Sequence, residues 1–228
     1  MKPIVIIPAR GGSKRIPRKN IININNTPAL GLLISNLIAM DLFEQIIVSS
    51  NDEEVIKVAV EYGAEYSTRS TASLSDDTTQ FEEVIRDCIV KNSLQNAVAP
   101  IFCIYPLALL LNKANVIDAL TLLWEYPDIF IISGGEIEIN PLRHTFKNGK
   151  QGVEVLFPSF NMFRSQDLPS VYFDVGMFYL AYSKTWLQPD KFWYNNNARF
   201  INIPKDNCID VDTHKDLEKL VERFNSIN

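Results

Sequence analysis

The chain has 228 residues, 46% of them hydrophobic and 21% charged, with a formal net charge of −5. That length supports a substantial core, organised as one domain over residues 1–228 with a small insertion, and an acidic sequence pI near 5.1 excludes a protein that coats nucleic acid. The apolar start is short and breaks at Pro8, and no apolar run approaches the ~20 residues of a membrane helix, so neither a signal peptide nor a membrane partner is expected and a cytoplasmic location is. Cys88, Cys103 and Cys208 lack metal-ligand spacing and are odd in number, so they read as buried free thiols.

In chain order, Ile4 to Ile7 reads as a first buried strand. Pro28 opens a helix with apolar residues at Leu32, Leu33, Leu37, Ile38 and Met40, and Gln45 to Ser49 forms the next strand. Asn51-Asp52-Glu53-Glu54 caps and charges a helix that runs to about Tyr62 and stops at Gly63. A short strand over Ala64 to Ser67, a helix over Phe81 to Val90 and a strand from Ile101 to Tyr105 follow, then a helix from Lys113 to Trp124 and a strand from Ile129 to Ser133. This alternation predicts a three-layer, Rossmann-like α/β fold with a parallel sheet and crossover helices. After Gly134-Gly135 the rhythm changes: Lys147-Asn148-Gly149-Lys150 marks a turn between extended segments, predicting a β-hairpin between about Pro141 and Asn161, inserted at about 138–162. Such an insertion suits a dimerisation arm or a substrate lid. Strands at Met177 to Ala181 and Phe200 to Ile203 and a helix from Lys215 to Phe224 complete the pattern.

Charge is concentrated at one end. The first acidic residue is Asp41, so the first forty residues hold six cations and no carboxylate, while the rest holds 16 cations against 27 acids. Directly after the first strand, Pro8-Ala9-Arg10-Gly11-Gly12-Ser13-Lys14-Arg15-Ile16-Pro17-Arg18-Lys19-Asn20 packs five cations around two glycines. Backbone N–H groups of a glycine turn approach an anion closely and the cations neutralise it, which predicts a polyphosphate cradle. The loop matches neither G-x-G-x-x-G nor G-x-x-x-x-G-K-[ST], which counts against hydride transfer and P-loop ATP hydrolysis. Near the other end, Ile209-Asp210-Val211-Asp212-Thr213 places two carboxylates on one side of an extended segment, either bridging a hard cation such as Mg²⁺ or capping the last helix. His144 and His214 read as surface or capping residues.

With Ile47-Val48-Ser49-Ser50-Asn51-Asp52, Leu74-Ser75-Asp76-Asp77 and Arg164-Ser165-Gln166-Asp167-Leu168, these segments resemble, over essentially the whole chain, the cytidylyltransferases that activate nonulosonic acids. Tyr172-Phe173-Asp174-Val175-Gly176-Met177-Phe178-Tyr179 is most similar to the pseudaminate branch, with the legionaminate and sialate enzymes second. The resemblance implies that a sugar acid's anomeric hydroxyl attacks the α-phosphorus of CTP, with Mg²⁺ on Asp210 and Asp212. It implies catalytic roles for Arg10, Lys14, Lys19 and Asp210. Nucleotide contacts fall to Ala9, Arg10, Gly11, Gly12, Ser13, Lys14, Lys19, Asn20 and Arg69, and sugar contacts to Tyr105, Arg164, Gln166 and Asp174. A homodimer is implied as well. Leu107, Phe173 and Met177 stand where the family carries polar residues, so the sugar end is expected to be more apolar, or the protein to be a nucleotide binder with weakened catalysis. An octulosonate-activating enzyme is a further alternative, against which the Arg-Ser-Gln-Asp-Leu segment argues.

Overall fold

The structure, a computed structural model, describes the chain except residues 72, 73, 75–78, 149–151, 189–196 and 228. The main-frame elements begin with β1 (Ile4–Pro8), the two-residue strands β2 (Asn23–Ile24) and β3 (Thr27–Pro28), α1 (Ala29–Met40), β4 (Gln45–Ser49), α2 (Glu53–Glu61) and β5 (Glu65–Ser67). They continue through α3 (Phe81–Lys91), β6 (Pro100–Ile104), α4 (Lys113–Glu125) and β7 (Phe130–Glu136), then the hairpin β8 (Thr145–Asn148) and β9 (Gly152–Val155). The chain closes with β10 (Tyr172–Tyr182), α5 (Ser183–Trp186), β11 (Ala198–Asn202) and α6 (His214–Ile227).

Seven strands form one sheet in the order β11-β7-β10-β6-β1-β4-β5. β1 is parallel to β4 and β6, β4 to β5, and β7 to β11, whereas β10 runs antiparallel between β6 and β7. The expected parallel sheet is therefore mixed. Because β10 is reversed, its first residues lie at the edge where the parallel strands end, the edge that binds ligands in open α/β sheets.

Both faces of the sheet are covered, which explains the unbroken apolar run of β1. Val5 and Ile7 join the layer formed with Leu33 and Leu37 of α1 and Val116 and Leu123 of α4, while Ile4 and Ile6 join the layer of Ile85 and Ile89 of α3 and Trp186 of α5. Asp52, not Asn51, caps α2, its carboxylate accepting from the N–H groups of Glu54 and Val55 at 3.1 Å.

Gly134-Gly135 read as the end of a strand, but β7 continues through both. Neighbouring rings occupy the space of the missing side chains: a Cβ at Gly134 falls 2.3 Å from the Phe200 ring, and one at Gly135 falls 2.6 Å from the Phe173 ring. Glycine here admits close packing rather than marking a turn. The hairpin forms as predicted, as a separate two-stranded sheet between 3-10 turns at Pro141–Arg143 and Pro158–Phe160. Its turn residues Gly149 and Lys150 lie outside the described residues.

Candidate active site

The basic loop leaves β1 at the sheet edge and is tied to the frame at several points. The Ala9 N–H donates to the Ser49 carbonyl at 3.0 Å, and the Asn20 side chain, 7% exposed, donates to the Arg10 carbonyl at 2.8 Å. Gly11 passes so close to α2 that a Cβ there falls 1.9 Å from an Asp52 carboxylate oxygen, so only glycine fits. Arg18, in the left-handed region at φ 56, reaches Asp52 (2.5 Å) and Glu54, which turns one of the five cations away from the ligand side and pins the loop to the start of α2. The guanidinium of Arg18 holds the Asp52 carboxyl below the usual carboxylate range.

The remaining four cations face a cavity of about 560 Å³. Arg10, Lys14, Arg15 and Lys19 line it together with Ser13, Asn20 and Arg69. Arg69 is buried beside the end of β5, donating to the carbonyls of Leu74 (2.6 Å) and Ser49 (3.3 Å), while its own N–H donates to the Asn51 side chain at 2.7 Å. Burial, and then Arg10, draws its pKa below the ordinary arginine value. Arg69 is thus built into the cavity wall. Ser75, Asp76 and Asp77 lie outside the described residues.

A second cavity, about 330 Å³, adjoins the first. Lys19, Asn20, Tyr105, Pro106 and Tyr179 line both. Its walls otherwise hold two carboxylates, Asp174 and Asp210, the amide of Asn207, and apolar groups that include Leu107, Val175, Met177 and Leu220. Asp174 accepts from the Gly176 N–H at 2.9 Å and from the Tyr179 hydroxyl. Burial raises the Asp174 pKa, and burial followed by the neighbouring Asp212 charge raises that of Asp210. The Tyr179 ring is fixed by Phe81, stacked at 4.5 Å between centroids.

Asp210 faces the smaller cavity and Asp212 the larger, so the pair straddles the seam. Helix capping is done by other residues: Thr213 and Asp216 form the reciprocal bonds at the start of α6, with the Thr213 hydroxyl 2.7 Å from an Asp216 oxygen. That removes the capping explanation for Asp210 and Asp212. Asp212 instead pairs with Arg15 at 2.8 Å, and the Lys19 ammonium donates to the Val211 carbonyl between the two acids at 2.7 Å. Among the described residues no group of three or more His, Cys, Asp or Glu side chains gathers as a metal cage.

Several expected residues stand elsewhere. Arg164 is exposed and pairs with Asp167 at 2.7 Å, Gln166 is exposed beside it, and neither lines either of these two cavities. Phe173 covers Gly135 instead of facing the smaller cavity, whereas Leu107 and Met177 do face it. Ala9, Gly11 and Gly12 shape the loop without appearing in either wall. Sequence reasoning gave Arg15 no role beyond its charge in the cradle and none to Tyr179 or to Glu82, a 5% exposed carboxyl in the larger cavity. The Arg15–Asp212 pair joins positions 197 residues apart, and only the sheet order brings them together.

A mixed α/β sheet with a cation-lined cavity at its strand ends, and paired carboxylates at the seam to a second cavity, defines a nucleotidyltransferase. Residues 4–105 match the sequence model of the cytidylyltransferase family. The chain is 36% identical over 219 residues to the pseudaminic acid cytidylyltransferase of Campylobacter jejuni subsp. jejuni serotype O:2, covering 96% of this chain and 94% of that protein. It is 28% identical to the post-translational flagellin modification protein B of Campylobacter coli, covering 94% and 91%. A solved CMP:2-keto-3-deoxy-manno-octonic acid synthetase complexed with CTP shares the fold over the full length of both chains, with a TM-score of 0.72 at 16% identity. The chain belongs to the cytidylyltransferase family.

Proposed function

We propose that this protein transfers CMP from CTP to a nonulosonic acid, pseudaminic acid, releasing pyrophosphate. The observation that carries the reading is the juxtaposition of a cation-lined cavity and a smaller carboxylate and apolar one, sharing Lys19, Asn20, Tyr105 and Tyr179. The larger cavity takes the nucleotide, with Arg10, Ser13, Lys14 and Lys19 at the phosphates and Asn20 and Arg69 on the nucleoside side. The smaller takes the sugar acid, with Asp174 and Tyr105 at its polar groups and Leu107 and Met177 against its apolar parts.

In the reaction the anomeric oxygen forms a bond to the α-phosphorus, the bond from that phosphorus to the bridging oxygen of the β-phosphate breaks so that pyrophosphate leaves with it, and the hydroxyl proton passes to solvent. Charge builds on the phosphoryl oxygens and on the departing pyrophosphate, where fixed cations stabilise it most because they are already oriented. Arg10, Lys14 and Lys19 do this on the larger-cavity side. Two carboxylates at the seam, released from helix capping, are oxygen donors of the kind a hard divalent cation takes. Mg²⁺ held by Asp210 and Asp212 would neutralise phosphoryl charge.

The protein acts in the cytoplasm as a homodimer, and its product feeds the glycosylation of surface structures such as flagellin, in line with the name of the Campylobacter coli relative. Support for the dimer comes from the hairpin region, where Ile139, Val153 and Met162 are 76%, 66% and 92% exposed, a concentration of apolar surface that a second copy would cover. Arg164 and Gln166 follow this arm, where Ser165 accepts a bond from Arg143, so their sugar-binding role is assigned across the dimer, Arg164 clamping the substrate carboxylate in the partner's cavity. The test is pyrophosphate release from CTP and Mg²⁺ with a panel of nonulosonic acids. Fastest turnover with pseudaminic acid, and sharply lower turnover when ATP, GTP or UTP replaces CTP, is expected; equal turnover with ATP overturns the reading.

A further inference from the structure

Side chains of a regular strand alternate between its faces. Yet Asp174, Val175, Gly176 and Met177, four consecutive residues of β10, all line the smaller cavity. An irregularity makes this possible. The pairing of β10 with β7 shifts register between Asp174 and Tyr179, and Gly176 adopts φ +67, a conformation glycine reaches without the Cβ penalty of other residues.

A bulge takes backbone N–H groups off the ladder, and buried ones need another acceptor. Ser133 of β7, fully buried, supplies it. Its hydroxyl accepts from the Met177 N–H at 3.0 Å and the Phe178 N–H at 3.1 Å, and lies 3.3 Å from the Phe178 carbonyl, to which it donates. One hydrogen and two lone pairs are then all used. The Tyr105 N–H donates to the Met177 carbonyl at 3.2 Å, so the residue that lines both cavities is tied to the same bulge. An aliphatic residue would suit this buried strand position, but it would leave the displaced N–H groups unpaired.

We propose that Ser133 is a positioning residue for sugar-acid recognition: it touches no substrate, but by holding the β10 bulge it presents Asp174 to Met177, and through Met177 Tyr105, to the smaller cavity. The inference rests on that cavity being the sugar-acid site. It also accounts for how a strand interior, ordinarily a structural element, supplies a continuous stretch of binding surface.

The experiment compares Ser133→Ala, Ser133→Thr and Asp174→Asn in the full-length protein, with kcat and KM measured for pseudaminic acid and for CTP separately and hydrogen exchange followed over residues 174–180. Ser133→Ala is expected to raise KM for the sugar acid about tenfold, because buried donors lose their acceptor, to leave KM for CTP within about twofold, and to speed exchange at Met177 and Phe178. Ser133→Thr, which keeps the hydroxyl, restores the sugar-acid KM and the slow exchange. A lowered melting temperature with both KM values unchanged, or with both raised equally, overturns the proposal by making Ser133 merely structural. If the alanine variant does not fold, Ser133→Cys, a weaker acceptor of similar size, must raise KM for the sugar acid above wild type, and a wild-type value overturns the proposal. A sugar KM that moves in Asp174→Asn but not in Ser133→Ala rejects the positioning role alone, while no movement in either rejects the assignment of the cavity and the inference with it.

Discussion

The larger cavity draws its cations mainly from residues 10–19, a single loop after a single strand, while the smaller one takes its walls from five separate stretches between Lys19 and Leu220. The two also differ chemically. One gathers five cations, Arg69 among them, the other the carboxylates of Asp174 and Asp210, the amide of Asn207 and a row of apolar side chains. Under the proposed assignment, the contrast corresponds to two different modes of recognition. A triphosphate is bound by charge, which a flexible loop with glycines can deliver, whereas a sugar acid is told from its relatives by hydroxyl, amide and methyl positions, which demand walls fixed by the sheet.

Variants at the seam test the comparison most severely. Asp210→Asn and Asp212→Asn are expected to lower turnover by about 10²–10³-fold with the fold intact, since a charge acting on the transferring phosphoryl group is lost with little change in volume. Steady-state kinetics at limiting Mg²⁺ with circular dichroism checks this, and wild-type rates in both variants would return the pair to a structural role. Lys14→Ala comes next. Turnover should fall by about a hundredfold, with CTP affinity reduced in calorimetry and sugar-acid KM unchanged; a change confined to the sugar acid would reverse the two cavities.

Asp174→Asn acts on the other half. It should raise sugar-acid KM by roughly tenfold to thirtyfold, as expected for a hydrogen bond to a charged group, and leave CTP binding alone. The smallest effect belongs to the frame that holds the basic loop. Asp52→Ala removes the cap of α2 and the partner of Arg18, and should destabilise by about 1–2 kcal/mol, lowering the melting temperature by a few degrees in a chain of this size. Because Arg18 lowers the folded-state pKa of Asp52, its contribution is fully present above the unfolded value near 4 and disappears as pH falls through the folded one. The gap between wild type and variant should therefore close at acid pH. A gap that persists well below pH 4 would show that the cap, not the ionised carboxylate, supplies the effect.

How far each half was legible in the sequence follows the same division. The basic loop announced itself because its charges are neighbours in the chain and follow a strand that reads plainly as buried, and the α/β alternation through Ser133 was recovered nearly to the residue. The Arg-Ser-Gln-Asp-Leu segment was legible only as a motif: its sequence does not tell that Arg164 pairs with Asp167 and lies outside the two cavities of its own chain. Gly134-Gly135 misled, since a glycine pair reads as a turn unless one knows which rings pack over it.

Helix and strand periodicity, glycine spacing and clustered charge are local properties of a chain, so the elements, the basic glycine loop and the acid pair could be read from it directly. The folded arrangement was needed to show that β10 enters antiparallel between β6 and β7, that its bulge turns four successive residues into one cavity wall, and that Thr213 and Asp216 free Asp210 and Asp212 from capping. Those outcomes depend on which distant strand supplies the next hydrogen-bond partner. A side chain such as Ser133 acquires its role only when a backbone 44 residues away presents an unpaired N–H to it.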